Sequence, residues 1–448
     1  MSLQNNLLFE IQNGIIVVNT LAVPPSLTNI QIYNSFSNIT IEWDPTTITG
    51  VIITYTINCT QGGLGTKNTT SNSITFPGAI SGTTYSFTIT PSIGSINGST
   101  ISTPNITPSF SLATGGDSIT TANINGIPHK FHKFTSTTSS TFTVNLDINA
   151  YILVVGSGGG GGSQSAAYAE GCGGGGGGEV FYTSNSSNAG TVLLKTGTTC
   201  TITVGATTNK DTNGNSTTCT IKNSSNSLLI DIIAKGGCFG GGSSSLGIPG
   251  TGNGSGGGGC GINRGSNTNN MNGSNATITT YSPVDETFFG KYTNLAKNGG
   301  VGNHLEPGGG GGGASSNGLG FTTTYFTTSP NSGYYKTGGN GGAAFVWIDG
   351  NSYGGGGGGG TNNYRGFYGG SGAINAGNGG AYDGYKYNPS TGYYASVDGS
   401  IQASSGLDNY GGGGGGGYGL AGTLDISYPN SGSGGAGGSG VVIIAYPV

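Results

Sequence analysis

Charge is what this 448-residue chain has least of: Lys, Arg, Asp and Glu together make up 7% of it, against about 25% in an ordinary globular protein. Hydroxyls, amides and bare backbone must therefore solvate its surface. With 13 Lys plus Arg against 17 Asp plus Glu, net −4, there is no basic footprint for nucleic acid. So few carboxylates leave few general acids or bases, which argues against an enzyme, and no cofactor is expected. No stretch approaches 18 uninterrupted apolar residues, which excludes a membrane-spanning helix. Met1 to Gly14 (MSLQNNLLFEIQNG) has no Lys or Arg and only a short apolar run, so no signal peptide is expected. The six cysteines (Cys59, Cys172, Cys200, Cys219, Cys238, Cys260) are widely and irregularly spaced without a CxxC. That spacing argues against zinc, and without an export signal the thiols are expected to be mostly reduced.

Glycine is what the chain has most of, 96 residues, and it is unevenly placed. The N-terminal quarter reads as strands. Leu7 to Val18 (LLFEIQNGIIVV) carries two apolar runs around Asn13-Gly14, the dipeptide a type I′ hairpin turn favours because both positions need φ > 0. Apolar on both faces, such a hairpin must pack on its own chain or on a partner. Leu7, Phe9, Ile11, Ile15 and Val17 are its candidate assembly residues. From Ser26 to about Thr107, short period-two strands recur at intervals of about ten residues, the spacing of a β-sandwich. They are read at 30–33, 38–43, 51–59, 73–76, 83–91 and 100–103. Trp43 late in the second strand, Tyr55 in the third, and Ser81-Gly82-Thr83-Thr84-Tyr85 before the fifth make this segment resemble a fibronectin type III domain. That resemblance implies a tyrosine corner at Tyr85. The expected organisation is a hairpin over 1–22, this sandwich over 23–108, a Pro/Ser/Gly linker over 109–117, and one glycine-rich β-domain over 118–448.

In that last part, 130–134 and 141–147 read as a strand pair, and Tyr151 to Val155 (YILVV) as a buried strand. Further strands are expected at 192–195, 200–204, 219–222, 228–234 and 344–348, with Val441 to Tyr446 (VVIIAY) apolar enough to be central. HKFTSTTSSTFTV (132–144), YILVVGSGGGGG (151–162), TITVGA (201–206) and GGSGVVIIAYP (437–447) resemble the glycine-rich domain of phage tail-fibre and adhesin proteins and of fibre-like proteins of large DNA viruses. The stretch from about 263 to 436 departs from that family's shorter loops, being longer and richer in Tyr. The resemblance implies a viral surface or fibre protein, a virion component assembled in the host cytoplasm and working in host attachment.

Between these motifs lie the runs Gly158–Gly162, Gly173–Gly178, Gly256–Gly259, Gly308–Gly313, Gly354–Gly360 and Gly411–Gly417. An α-helix is excluded, since each Gly costs about 1 kcal/mol relative to Ala. Collagen is excluded because no strict Gly-X-Y period exists. Two readings remain: flexible linkers, or a packed bundle of left-handed threefold helices, the polyglycine analogue of polyproline II. Such a helix rises about 3.1 Å per residue, so seven residues span roughly 22 Å. It has no internal hydrogen bonds, so neighbours must satisfy one another's N–H and C=O groups. Large aromatics beside the runs (Tyr353, Tyr410, Tyr418) and the need for first and last strands to meet favour packing. The fold class expected is thus all-β: a fibronectin-III-like sandwich, then a larger β-sandwich with packed polyglycine runs and long aromatic loops.

Polyglycine matches GxGxxG trivially, and the Gly290-Lys291 step is followed by Tyr292, so there is no phosphate loop. His129 and His132, three apart on a strand, fall on opposite faces and make no metal pair. The scattered carboxylates leave room for a glycosidase only as a remote third reading. The loop aromatics are the better candidates: Tyr334, Tyr335, Tyr364, Phe367, Tyr368, Tyr382, Tyr385, Tyr387, Tyr393 and Tyr394. Tyrosine supplies rigid contact area with a polar tip, as recognition surfaces use it. Alternatively, the rings mainly cover the glycine bundle. The expected partners are a host surface glycan or protein receptor and further copies or other virion proteins. Nucleic acid and membrane insertion are not expected. The competing function is a capsid decoration or filament subunit with a purely structural role.

Overall fold

A computed structural model describes the chain except for residues 1–6, 13–14, 21–22, 36, 49, 165–170, 186–187, 243–247, 261–271, 280, 282, 286–287, 289, 303–306, 329–330, 362–367, 383–385, 389–392, 396–399 and 419–431. The described residues contain no α-helix, and their strands form antiparallel sheets, so the fold is all-β and sandwich-like. Two compact units divide at Ser111/Leu112.

In the first unit, β1 (Leu7–Gln12) and β2 (Ile15–Thr20) form a separate two-stranded hairpin. Its register pairs Gln12 with Ile15, Ile11 with Ile16 and Phe9 with Val18. Positions Leu7, Phe9 and Ile11 therefore alternate with Leu8, Glu10 and Gln12, the latter set opposite Ile15 and Val17. The strands β3 (Gln31–Ser35), β4 (Asn38–Glu42) and β7 (Ser73–Pro77) make one sheet. A second consists of β5 (Thr54–Gln61), β6 (Thr66–Thr69), β8 (Ser86–Ile93), β9 (Ile96–Asn97) and β10 (Ile101–Ser102). Alternation in β4 and β8 sends Ile39, Ile41, Phe87 and Ile89 inward with Trp43, Tyr55 and Phe76. Phe76 and Phe87 meet across the sheets at 4.8 Å between ring centroids. The Tyr85 hydroxyl accepts the Ile80 N–H at 2.7 Å, the backward bond expected of a tyrosine corner.

The second unit stacks two larger sheets. One runs β11 (Ala113–Thr114), β14 (Ser140–Val144), β19 (Thr199–Thr203), β20 (Thr217–Lys222), β21 (Leu228–Ala234). The other runs β12 (Ser118–Ile124), β13 (Ile127–Phe134), β31 (Val441–Pro447), β15 (Ile148–Val155), β16 (Val180–Asn185), β17 (Asn188–Ala189), with β18 (Val192–Leu194) on β15 and β22 (Tyr292–Leu295) on β16. Strand β31 is central, as its composition requires. Between the sheets pack Phe134, Phe142, Ile152, Val154, Ile202, Ile221, Ile232, Val442 and Ile444. The outer face of the larger sheet is covered too, with Phe131, Leu153, Val155, Ile443, Trp347 and Tyr353 in a second cluster. Burial on both faces explains why β15 and β31 are continuously apolar rather than alternating.

Smaller hairpins complete the unit: β23 (Thr322–Thr328) with β24 (Asn331–Thr337), β25 (Phe345–Val346) with β26 (Ser352–Tyr353), and β27 (Ala381–Tyr382) with β30 (Ser400–Ile401), the last enclosing β28 (Lys386–Asn388) and β29 (Tyr393–Ala395).

The pairing expected between 130–134 and 141–147 is not found. β13 pairs with β12 and β31, whereas β14 lies in the other sheet between β11 and β19. The signal that decides it is Asn125-Gly126, both at positive φ (52° and 82°), which turns the chain between β12 and β13 and gives the latter a different partner. Within the stretch read as linker, Ala113–Thr114 pairs with β14.

Candidate functional site

The glycine runs continue directly from strand ends: β15 into 156–162, β21 into 235–242, and 171–179 into β16. They are packed threefold helices. Along the central run, the N–H groups of Cys172, Gly175 and Gly178 donate to Gly417, Gly414 and Gly411. Those of Gly173, Gly176 and Glu179 donate to Gly241, Cys238 and Lys235, and those of Gly174 and Gly177 to Gly309 and Gly312. Each successive residue thus addresses a different neighbour and every third returns to the same one, which is the signature of three residues per turn. Three further runs donate into its carbonyls, through Gly159, Gly258 and Gly357 onto Gly176, Gly174 and Gly175. The central run therefore sits inside six neighbours, in a hexagonal array.

Only glycine fits there. A Cβ added at Gly174, Gly175 or Gly176 would lie 2.1–2.2 Å from the carbonyl oxygen of Gly357, Gly159 or Ser255. Flexible tethers do not make such a lattice, so the linker reading fails for these runs.

The lattice also fixes direction. Gly178, Gly411, Gly156 and Lys235 lie at the end continuous with the sandwich, and Cys172, Gly417, Gly360 and Gly162 at the opposite, outer end. In sequence, the connections between described run ends that meet here include residues 321–337, 362–368 and 381–401. All ten aromatic candidates fall in three of these connections. Tyr334 and Tyr335 are in β24, opposite Tyr325 and Thr324. Tyr382 pairs with Ser400, Tyr387 with Tyr394, and Asn388 with Tyr393. Tyr368 is exposed (66%) and bridges to Thr337, bringing its segment against the β23–β24 hairpin. Tyr364, Phe367 and Tyr385 lie outside the described residues. Ile401 is exposed at this end as well.

Two other aromatics near the runs, Tyr353 and Tyr418, are buried. Tyr353 stacks on Tyr410 at 5.5 Å and donates to Asp349 at 2.6 Å, and Tyr418 is 1% exposed. Tyr353 and Tyr418, which are not among the ten candidates, thus cover the glycine runs. Two buried polar groups at the outer end, Gln164 Nε2 and Thr361 Oγ1, have no hydrogen-bond partner.

The unit's buried ionisable groups are structural. Glu179 is fully buried where the central run enters β16. Its carboxylate accepts the Lys235 N–H (3.0 Å), the Thr279 N–H (2.9 Å) and the Thr279 hydroxyl (2.9 Å). Burial nevertheless pushes its pKa above the ordinary Glu value. His132 Nδ1 donates to the Gly115 carbonyl at 2.6 Å, so its Nε2 accepts the Tyr446 hydroxyl at 2.9 Å. Burial holds its pKa below the ordinary value. His132 packs on Phe142, in the inter-sheet core, while His129 packs on Tyr151, beside the other cluster, so the two histidines face opposite ways. All six cysteines are free thiols.

A glycine-rich domain is what this lattice amounts to, and the glycine-rich domain family matches residues 135–447. The chain belongs to that family. No curated protein matches it. Among solved structures, a chitinase, ChiA74 from Bacillus thuringiensis, overlaps 38% of this chain and 23% of its own at 18% identity and a TM-score of 0.16. The glycine-rich chain thus spans less than a quarter of that enzyme's length, and an overlap so loose carries no argument about fold or activity. The family match brackets the strands β14 to β31 and the runs between them, including every aromatic candidate.

Proposed function

We propose that this is a non-enzymatic viral surface or fibre protein that attaches to a host through the outer end of its glycine bundle. The observation that carries the reading is topological. A cross-bonded lattice ends in a cluster of connections, and the ten Tyr and Phe candidates are confined to three of them. A rigid platform lowers the ordering cost of the loops it presents, which is the usual advantage of recognition loops on a scaffold. In this reading the first unit is a fibronectin type III-like spacer, supported by its two facing sheets and the Tyr85 bond to Ile80. The separate β1–β2 hairpin, in which Glu10 is the one charged residue, joins it to another virion protein. The likeness to phage tail-fibre adhesins and large-DNA-virus fibre proteins rests on the quoted motifs.

A test is binding to a glycan array by the full chain, alongside Tyr368→Ala and a variant with residues 383–399 replaced by a Gly-Ser turn. Selective binding, lost in the variants while the melting temperature is kept, supports attachment. Binding that survives both changes refutes the assignment to these loops. The second reading, a capsid decoration or filament subunit, is favoured by a hairpin that forms a sheet of its own and predicts ordered polymers in negative-stain images with no glycan selectivity.

A further inference from the structure

The larger sheet of the second unit ends in a strand that none of the described residues covers. From Ser118 to Asn123, β12 is exposed at every residue, and only Ile124 is half-buried. Both of its faces are therefore open. Among the described residues its sole strand partner is β13, and the two-residue turn at Asn125-Gly126 fixes which groups that pairing uses. In such a hairpin the closing pair, Ile124 with Ile127, exchanges hydrogen bonds, and so do Ala122 with His129 and Thr120 with Phe131. The N–H and C=O groups of Ile119, Thr121 and Asn123 then point away from the sheet.

The other edges of the two larger sheets are short or covered. β11 and β17 are two residues long, and β22 four. β21 is covered in part by the segment that follows it: the Val284 N–H donates to Leu229 O, and the Tyr281 hydroxyl to Ile233 O. Proteins commonly blunt long edges by shortening, covering, proline or charge. β12 (SITTANI) is seven residues long and has neither proline nor charge.

We propose that β12 pairs antiparallel with β12 of a second copy, about a twofold axis through Thr121. An isologous contact of this kind is self-complementary. With Thr121 opposite Thr121, Ile119 falls opposite Asn123 in both directions, and every outward N–H and C=O of the three residues finds a partner. The two larger sheets become one continuous sheet. With both faces of the strand open, no packed side chains have to be displaced before the twin can pair. Charge permits the approach. The nearest cations on the ladder are Lys130 residues, each opposite its own Thr121. Across three strand spacings they are roughly 14 Å apart, beyond the screening length of about 8 Å at physiological salt.

The test is sedimentation of the full-length chain over a concentration series, with two edge variants and one hairpin variant. Thr121→Pro removes an outward N–H at a position where an edge strand tolerates proline. Thr121→Lys places like charges opposite each other across the axis. The wild type should form dimers. Each edge variant should weaken association by about tenfold or more while the melting temperature of the dilute, monomeric protein holds, and the Lys variant should recover in high salt. A Phe9→Lys, Ile15→Lys double variant should still dimerise. A wild type that stays monomeric throughout the series, or dimers lost with the hairpin variant and kept with Thr121→Pro, would overturn the assignment.

Discussion

Gly357 lies mid-run in the glycine lattice, and a single methyl group there tests the whole packing argument. The Cβ of Gly357→Ala would sit 2.1 Å from the Gly414 carbonyl oxygen and 2.7 Å from its carbon. Ordinary contact begins at 3.4 Å, so one backbone must give way by about 1.3 Å. Neither has room. Gly357 donates to Gly175 O and accepts from the Gly311 N–H, both at 2.8 Å, while the 411–417 run is tied to the same helix by Gly413 to Gly355 and Gly416 to Gly358, both at 2.9 Å. A displacement of that size breaks at least two of these bonds. Each buried donor or acceptor left unpaired costs about 1–3 kcal/mol, and overpacking itself costs about 1–3 kcal/mol. The expected loss is about 3–9 kcal/mol, or a melting temperature lower by roughly 6–18 °C for a unit this large. Gly320→Ala is the control, since its Cβ would meet only Val301 O, at 3.4 Å, and it should change stability by less than about 0.5 kcal/mol. Calorimetry on the two variants reads the difference directly. If both melt with the wild type, the runs are not packed backbone to backbone.

Tyr85→Phe should destabilise the first unit by about 1 kcal/mol through the lost bond to the Ile80 N–H, read by denaturant titration; no change would remove the corner from the unit's stability. His132 should titrate below pH 6.5 by NMR, because burial disfavours its charged form. A depressed folded-state pKa contributes stability that is complete above pH 6.5 and lost as pH falls through the folded value; a midpoint at or above 6.5 would contradict the buried neutral ring. Glu179 works in the opposite sense. Its pKa is raised, so its contribution is complete below about pH 4.5 and lost as pH rises through the folded value. The stability of the wild type relative to Glu179→Gln should therefore be greater at pH 4 than at pH 7, and the reverse order in urea midpoints would refute it. Glu179→Ala should cost about 2–4 kcal/mol at either pH, since it orphans the Lys235 and Thr279 N–H groups.

Strand identity and most strand positions followed from local chemistry. A period of two exposes one face and buries the other, so Asn38–Glu42 and Ser86–Ile93 announce themselves. Continuous apolar runs marked the doubly covered β15 and β31, and SGTTY marked the Tyr85 corner. The Asn125-Gly126 turn was equally local and would have placed β12. The candidate site was legible only as a composition, tyrosines crowded between glycine runs. Partners were not legible. That β13 and β14 belong to different sheets depends on which distant segments reach them, Val441–Pro447 for one and Thr199–Thr203 for the other. Nor does any order of glycines say which run bonds to which, because a glycine helix presents the same N–H and C=O pattern on every side. The hexagonal neighbours of Gly173–Gly178 are chosen by where the flanking strands enter and leave the sandwich. The sequence alone settled that these runs could be neither α-helix nor collagen. Tertiary structure decided that they form a lattice, and that its free end gathers the aromatic segments, because backbone bonds between runs exist only once the strands have set the runs side by side.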